Sequence, residues 1–434
     1  MANLAQHYYR VGTSTFSTDV IPTNAPELDE FIAKHRKKIE PWLTATCQAE
    51  HLNLLLGSGF TAAIGHIAGS PAAGMDKITL DTKFDAEIDA HATETAKRMG
   101  RGAPNIEDQF RSALAVLAGS EILNLSDGED LRDKLNKQLK LFLESLLETE
   151  RGIESAKGEK ADRADSVLQS FLLSFASRTA SRERLHVFTT NYDRLLEYGC
   201  DLAGIRTIDR FVGALNPVFR ASRVDADYHY NPPGIRGEPR FMEGVLRLTK
   251  LHGSLDWNYD ARRRSIKRIG LPFGAPKTHT DIPSEPVDTV MIYPNPAKDF
   301  ETTYYPYAEL FRDFAASVCR PNAVLFVYGY GFGDDHINRI ILDMLAIPST
   351  HIVVAARSMS DRLESFLQKT RDAQTTLIVG KHFTDLETLT RHYLPKPALD
   401  FISTRLAELL KRRPSLVDDG KGNEAGQKDT ASSA

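Results

Sequence analysis

A chain of 434 residues with 41% hydrophobic and 26% charged side chains has a globular composition, enough for one large domain with insertions or for two to three units. Its net charge of -4 speaks against an overall basic nucleic-acid binder. Three scattered cysteines, Cys47, Cys200 and Cys319, exclude a disulfide framework and a Cys-x-x-Cys zinc ribbon and suit a reducing compartment.

The opening MANLAQHYYR lacks the basic and apolar blocks of a signal peptide. No apolar run approaches the ~18 residues of a bilayer span, so a soluble cytoplasmic protein without membrane contact is expected. Residues 1–50 read as an N-terminal helical segment, clearest from about Pro26 to Gln48. HLNLLL, closed by Gly57-Ser58-Gly59, reads as a short buried strand. Over 66–184 apolar residues recur at a helical period. Ile106, Phe110, Ala113 and Leu117 carry it first, then Leu131, Leu135, Leu139 and Phe142, then Val167, Leu168, Phe171 and Phe175. This block predicts a large helical insertion after the first strand.

From residue 185 the pattern changes. LHVFTT, VLRLTKLHGS, TVMIYP, AVLFVYGYGF, HIVVAA and TLIVG read as strands, with helical stripes such as Phe311, Phe314, Val318 and Ile337, Ile341, Met344 between them. The alternation predicts an α/β fold: a Rossmann-like parallel sheet with helices on both faces, built from 51–65 and 185–410. Residues 209–244, rich in Tyr, Pro, Gly and Arg, fit neither period and read as an irregular insertion with room for a hairpin. Residues 411–434 are polar and read as a disordered tail.

Ligands of such sheets bind beyond the carboxyl ends of the strands, and the unusual residues fall there. Gly57-Ser58-Gly59-Phe60-Thr61 lets backbone amides approach a pyrophosphate, although glycine after a strand commonly makes only a turn. Thr190, Asn191 and Asp193 close the next strand; the competing reading is an Asx-type helix cap. His252, beside Gly253, is a candidate general base set against an ordinary structural histidine. Gly329-Tyr330-Gly331-Phe332-Gly333 brings backbone close to something, and Asp334 or Asp335 can cap a helix beginning near His336.

The set GSGFT, TTNYD, KLHGS and GYGFGDDHINRII, in this order, resembles the sirtuin-like domains of bacterial anti-phage defence proteins, over most of 50–390. The resemblance implies an NAD pocket with Gly57, Ser58, Gly59, Phe60, Thr61 and Thr190 at the first turns. It puts Asn191 and Asp193 at the ribose and nicotinamide with His252 as the catalytic base, and Gly329, Tyr330, Gly331 and Phe332 by the adenosine half, with Asp334 and His336 also binding the cofactor. The four-cysteine zinc module of sirtuin deacylases is missing, so no zinc is expected. What the resemblance then implies is an NAD+ glycohydrolase acting in defence, with NAD as substrate, self-assembly into a homo-oligomer and a HerA-type ATPase partner. An NAD-dependent protein deacylase and a non-catalytic nucleotide-binding subunit of a DNA-processing complex are the alternatives. Direct DNA contact would fall to DARRRSIKR, 260–268, which reads first as a solvated hairpin.

Overall fold

The computed structural model describes residues 6–70, 72, 74–98, 102–178, 181–223, 227–230, 240–283, 285–292 and 305–396. The chain divides after Pro395, and its sheets and the helices packed on them all belong to the unit Met1–Pro395. The expected disordered tail, 411–434, lies outside the described residues.

Among the described residues one sheet holds nine strands. In chain order they are β1 (His7–Val11), β2 (Ser14–Thr18), β3 (His51–Leu56), β4 (His186–Thr189), β5 (Arg206–Ile208), β10 (Val245–Lys250), β14 (Ala323–Tyr328), β15 (His351–Ala356) and β16 (Thr375–Val379). Their order across the sheet is β2-β1-β16-β15-β14-β3-β4-β10-β5. From β16 across to β5 every pairing is parallel. The apolar runs of β3, β14 and β15 are explained by cover on both faces. Side chains alternate between two cores: Leu52, Leu54, Leu56, Val324 and Phe326 face one, Leu55, Leu325 and Val327 the other.

Helix α1 (Ala25–Cys47), α2 (Ser58–Ala68), α6 (Glu159–Ala176) and α7 (Leu195–Leu202) feed the first core through Ile39, Ile64, Phe171 and Leu195. The second core takes Phe314, Ile337 and Leu363 from α9 (Tyr307–Val318), α10 (Asp335–Leu345) and α11 (Asp361–Leu367). The predicted helical block is α3 (Asp85–Arg98), α4 (Ile106–Ile122), α5 (Gly128–Glu154) and α6. A third core joins Phe110, Leu131 and Phe142 of this block to Tyr192, Leu255 and Leu271 from the sheet side and to Val287 of the short α8 (Pro286–Thr289).

Two sequence readings need correction. Residues 7–18 are not helical: HYYRV and STFST pair antiparallel as a hairpin, and β1 continues the sheet beside β16. β1 alternates buried with half-buried residues and β2 half-buried with exposed ones, the period of strands, and the short pair gains its apolar cover from α1. TVMIYP does not join the parallel sheet. Its described part, β13 (Val290–Ile292), pairs antiparallel with β11 (Gly253–Asp260). Beyond β11 this small sheet continues through β12 (Ser265–Arg268), β7 (Val218–Phe219) and β6 (Phe211–Val212). An apolar run announces a strand but not its partner, which long-range contacts choose. Within 209–244, β8 (His229–Tyr230) and β9 (Arg240–Phe241) pair as a hairpin. DARRRSIKR is the β11–β12 hairpin, with Arg262, Arg263 and Arg264 exposed in its turn. No helix among the described residues is long and apolar enough to cross a membrane.

The N-terminal elements dock against three histidines, His35 buried and His351 and His382 half-buried. His35 of α1 shares a hydrogen bond with the Tyr9 hydroxyl (2.9 Å), His351 packs edge-on against Trp42, and His382 packs edge-on against Phe31. Burial pushes each imidazole down from 6.5 to about 4. The unfolded chain therefore binds more protons between those values, and stability falls as the pH drops through that window. A urea midpoint that declines from about pH 6.5 to about pH 4 is expected, with a shallower decline in His35→Gln. A flat midpoint across the window would show that burial does not shift these histidines.

Candidate active site

The turns after β3 and β14 cross at backbone distance. Gly57 N–H donates to Tyr328 O (3.1 Å) and Gly59 N–H to Gly329 O (3.0 Å). A Cβ on Gly57 would lie 2.5 Å from Gly329 O, and one on Gly329, whose φ is +67°, 2.6 Å from Phe60 N. No side chain fits either position without moving backbone. Gly329→Ala is expected to cost about 1–3 kcal/mol from the left-handed conformation alone, read as a lower urea midpoint. An unchanged midpoint would mean that the turns do not meet.

Beside the crossing is a cavity of about 310 Å³. Of the predicted residues, Gly57, Ser58, Thr61, Thr190, Asn191, Asp193, His252, Tyr330, Gly331 and Asp334 line it. Gly59 and Gly329 instead line a smaller cavity of about 160 Å³ with Arg357 and Lys381. Phe60 and Phe332 are core residues, packed against Phe171 and Phe366. His336 stands behind the cavity wall, its Nε2 3.3 Å from His252 Nε2.

Asn191 and Asp193 share Thr61. Asn191 donates both Nδ2 hydrogens, to Gly57 O (3.1 Å) and Thr61 Oγ1 (2.9 Å), so Oδ1 is the atom its amide has for a ligand. The Thr61 hydroxyl donates in turn to Asp193 Oδ2 (2.8 Å), whose Oδ1 accepts Leu195 N–H (3.1 Å). Asp193 thus caps the start of α7, as its Asx-type reading allows, and also faces the cavity. Lys250 Nζ, buried at the end of β10, spends its three hydrogens on Asp193 O (2.5 Å), Ser254 Oγ (2.9 Å) and Glu197 Oε1 (3.1 Å). The loop after β4 is therefore fixed from both neighbouring strands. Asp334 occupies the N-cap position of α10 but makes no side-chain capping bond, and its residue lines the cavity.

Sequence reasoning missed the far wall. Asn105, Glu107, Leu146 and Thr149 from the helical block line it too, with Ala72, Met75 and Ala103 from the connections before α3 and α4 and with Tyr192, Gly333 and Arg362. Asn105-x-x-Asp108 is legible as a helix start, and Arg362 follows the Ser360 cap of α11, but nothing local says that these helix ends face a ligand. Among the described residues no three His, Cys, Asp or Glu side chains are grouped to hold a metal ion.

Residues 185–371 match the family model of the SIR2-like domain. That span holds the Asn191, His252 and Asp334 segments and leaves β3, the Gly57 turn and the helical block outside it. No curated protein matches the chain. Among solved structures the chain is similar to a Sir2 homologue mutant in complex with ADP ribose. The identity is 11%, over 77% of this chain and 96% of that one, at a TM-score of 0.34.

Proposed function

We propose that the chain is an NAD+ glycohydrolase that splits NAD+ into nicotinamide and ADP-ribose in the 310 Å³ cavity. The observation that carries this reading is the meeting of Asn191 and His252, from the ends of adjacent parallel strands, on one cavity beside a glycine turn at a helix start. A nucleotide binder needs the turn but has no use for a buried imidazole and a fixed amide oxygen lining the same cavity.

In this reading the nicotinamide ribose lies over Asn191 and His252. As the glycosidic bond lengthens, the ribose carbon gains oxocarbenium character. Asn191 Oδ1 accepts a hydrogen from the attacking water or a ribose hydroxyl and so turns the oxygen toward that carbon. His252 takes the proton released as water adds. Asp193, anchored by Thr61 and Leu195 N–H, keeps carboxylate lone pairs for the carboxamide of nicotinamide. Ser58, the first residue of α2, offers its backbone N–H to the pyrophosphate, and the adenosine half runs toward Arg357 and Lys381.

The motif order supports an effector of bacterial anti-phage defence, silent until self-assembly or a HerA-type ATPase partner switches it on. The test is nicotinamide and ADP-ribose release from NAD+ by the purified chain, alone and with that ATPase. Release in either condition supports the reading; no release and no NAD+ binding in both would overturn it.

A further inference from the structure

The helical block contributes a carboxylate to the site. Glu107 is the second residue of α4, whose start is already capped: Asn105 accepts the Asp108 N–H (3.1 Å) and Asp108 accepts the Asn105 N–H (3.2 Å). Glu107 therefore has no capping duty. It is 7% exposed, where an ionised carboxylate is costly unless it is paired. Tyr192 donates its hydroxyl to Glu107 Oε1, and His252 Nδ1 lies 3.8 Å from the same oxygen. Burial, with the charge of Glu107 beside it, pushes the Tyr192 phenol well above 10, so it remains a donor.

We propose that Glu107 is a positioning residue for His252, holding the imidazole with Nδ1–H toward α4 and steadying the imidazolium that forms when Nε2 takes a proton. The proposal rests on the reading of His252 as the base of NAD+ cleavage. With Nδ1 protonated toward the carboxylate, Nε2 is the acceptor, and a His336 Nε2–H would donate to it across the 3.3 Å between the two rings. Water takes that place in the reaction. Its O–H bond breaks and the proton passes to His252 Nε2 while its oxygen bonds the ribose carbon. The electrons of the carbon–nitrogen bond leave with nicotinamide and neutralise its ring.

Among the described residues, the charged and titratable groups around the imidazole are Glu107 from α4, Tyr192 and Asp193 from the loop after β4, Tyr330 from the turn after β14, Asp334 and His336 from the start of α10, and Arg362 from α11. Of the carboxylates among them, Glu107 is the one at an ion-pair distance from His252. An anion that close raises the pKa of an imidazole by about 1–3 units. Glu107→Gln keeps the size of the side chain and an oxygen for the Tyr192 hydroxyl but removes the charge.

The decisive experiment is an NMR titration of the histidines in the isotope-labelled full chain, with the His252 signal assigned by its loss in His252→Gln. Glu107→Gln is expected to lower the His252 pKa by about one unit or more, and Glu107→Asp to restore part of the shift. In NAD+ turnover the acid limb of kcat/KM should move to lower pH by the same amount, with kcat reduced on the order of tenfold. A His252 pKa identical in wild type, Glu107→Gln and Glu107→Asp overturns the proposal. A shifted pKa in a wild-type chain that neither releases nicotinamide nor binds NAD+, alone and with the ATPase, leaves the pairing standing and removes the glycohydrolase reading, so the two failures are distinguishable.

Discussion

Asn191→Ala is expected to leave the chain folded and to cut nicotinamide release from NAD+ by on the order of 10²–10³-fold, with NAD+ affinity little changed. That is the loss seen when one fixed polar group stops aiming at the reacting centre. The amide is preorganised: its two hydrogens are held by Gly57 O and Thr61 Oγ1, so Oδ1 needs no reorientation at the moment of reaction. Asn191→Asp should fail as well, because a carboxylate cannot donate to Gly57 O and would set two acceptors against each other. The measurement is single-turnover nicotinamide release by chromatography, beside NAD+ binding by calorimetry. Turnover of Asn191→Ala within a few-fold of wild type would remove Asn191 from the mechanism.

Glu150→Ala should destabilise the chain by about 3–5 kcal/mol, as expected when one partner of a buried ion pair is removed and the other stays buried. Arg194 follows the cavity-lining Asp193 and is 6% exposed. Its Nη2 donates to Glu150 Oε2 (2.5 Å) and to Pro272 O (2.9 Å), its Nη1 to Leu271 O, and its backbone N–H to Glu150 Oε1 (2.8 Å). One carboxylate of α5 thus ties the helical block to the loop that carries Asn191 and Asp193. Urea unfolding checks the magnitude, and Glu150→Leu combined with Arg194→Met should cost less than Glu150→Ala alone, because no charge is then stranded. A loss below about 1 kcal/mol in Glu150→Ala would show that the pair is solvated.

The parallel sheet is legible in the sequence because doubly covered strands are written as unbroken apolar runs, and β3, β14 and β15 are such runs. The near wall of the cavity is legible for a related reason: glycines and polar residues after those runs fall at strand ends. Other features depend on contacts between residues far apart in the chain. Glu107 meets Tyr192 and His252 only after the helical block has folded over the sheet, and as a sequence feature it is one more acidic residue in a first helical turn. Phe60 and Phe332 show the converse, since a motif position says that backbone approaches a ligand while the side chain turns into the core. The β1–β2 hairpin goes unread because five-residue strands of mixed polarity give a weak alternation.

That hairpin has a consequence for association. A parallel sheet ending at β16 would offer a row of unpaired N–H and C=O groups to any extended chain. β1 occupies that border, and beyond it β2 presents Ser14, Thr15, Ser17 and Thr18, a short polar strand poorly suited to templating another. On the opposite border β5 is three residues long. Both margins of the sheet are thus blunted against strand addition, so copies or partners that join it would dock through side-chain surfaces rather than by extending the sheet.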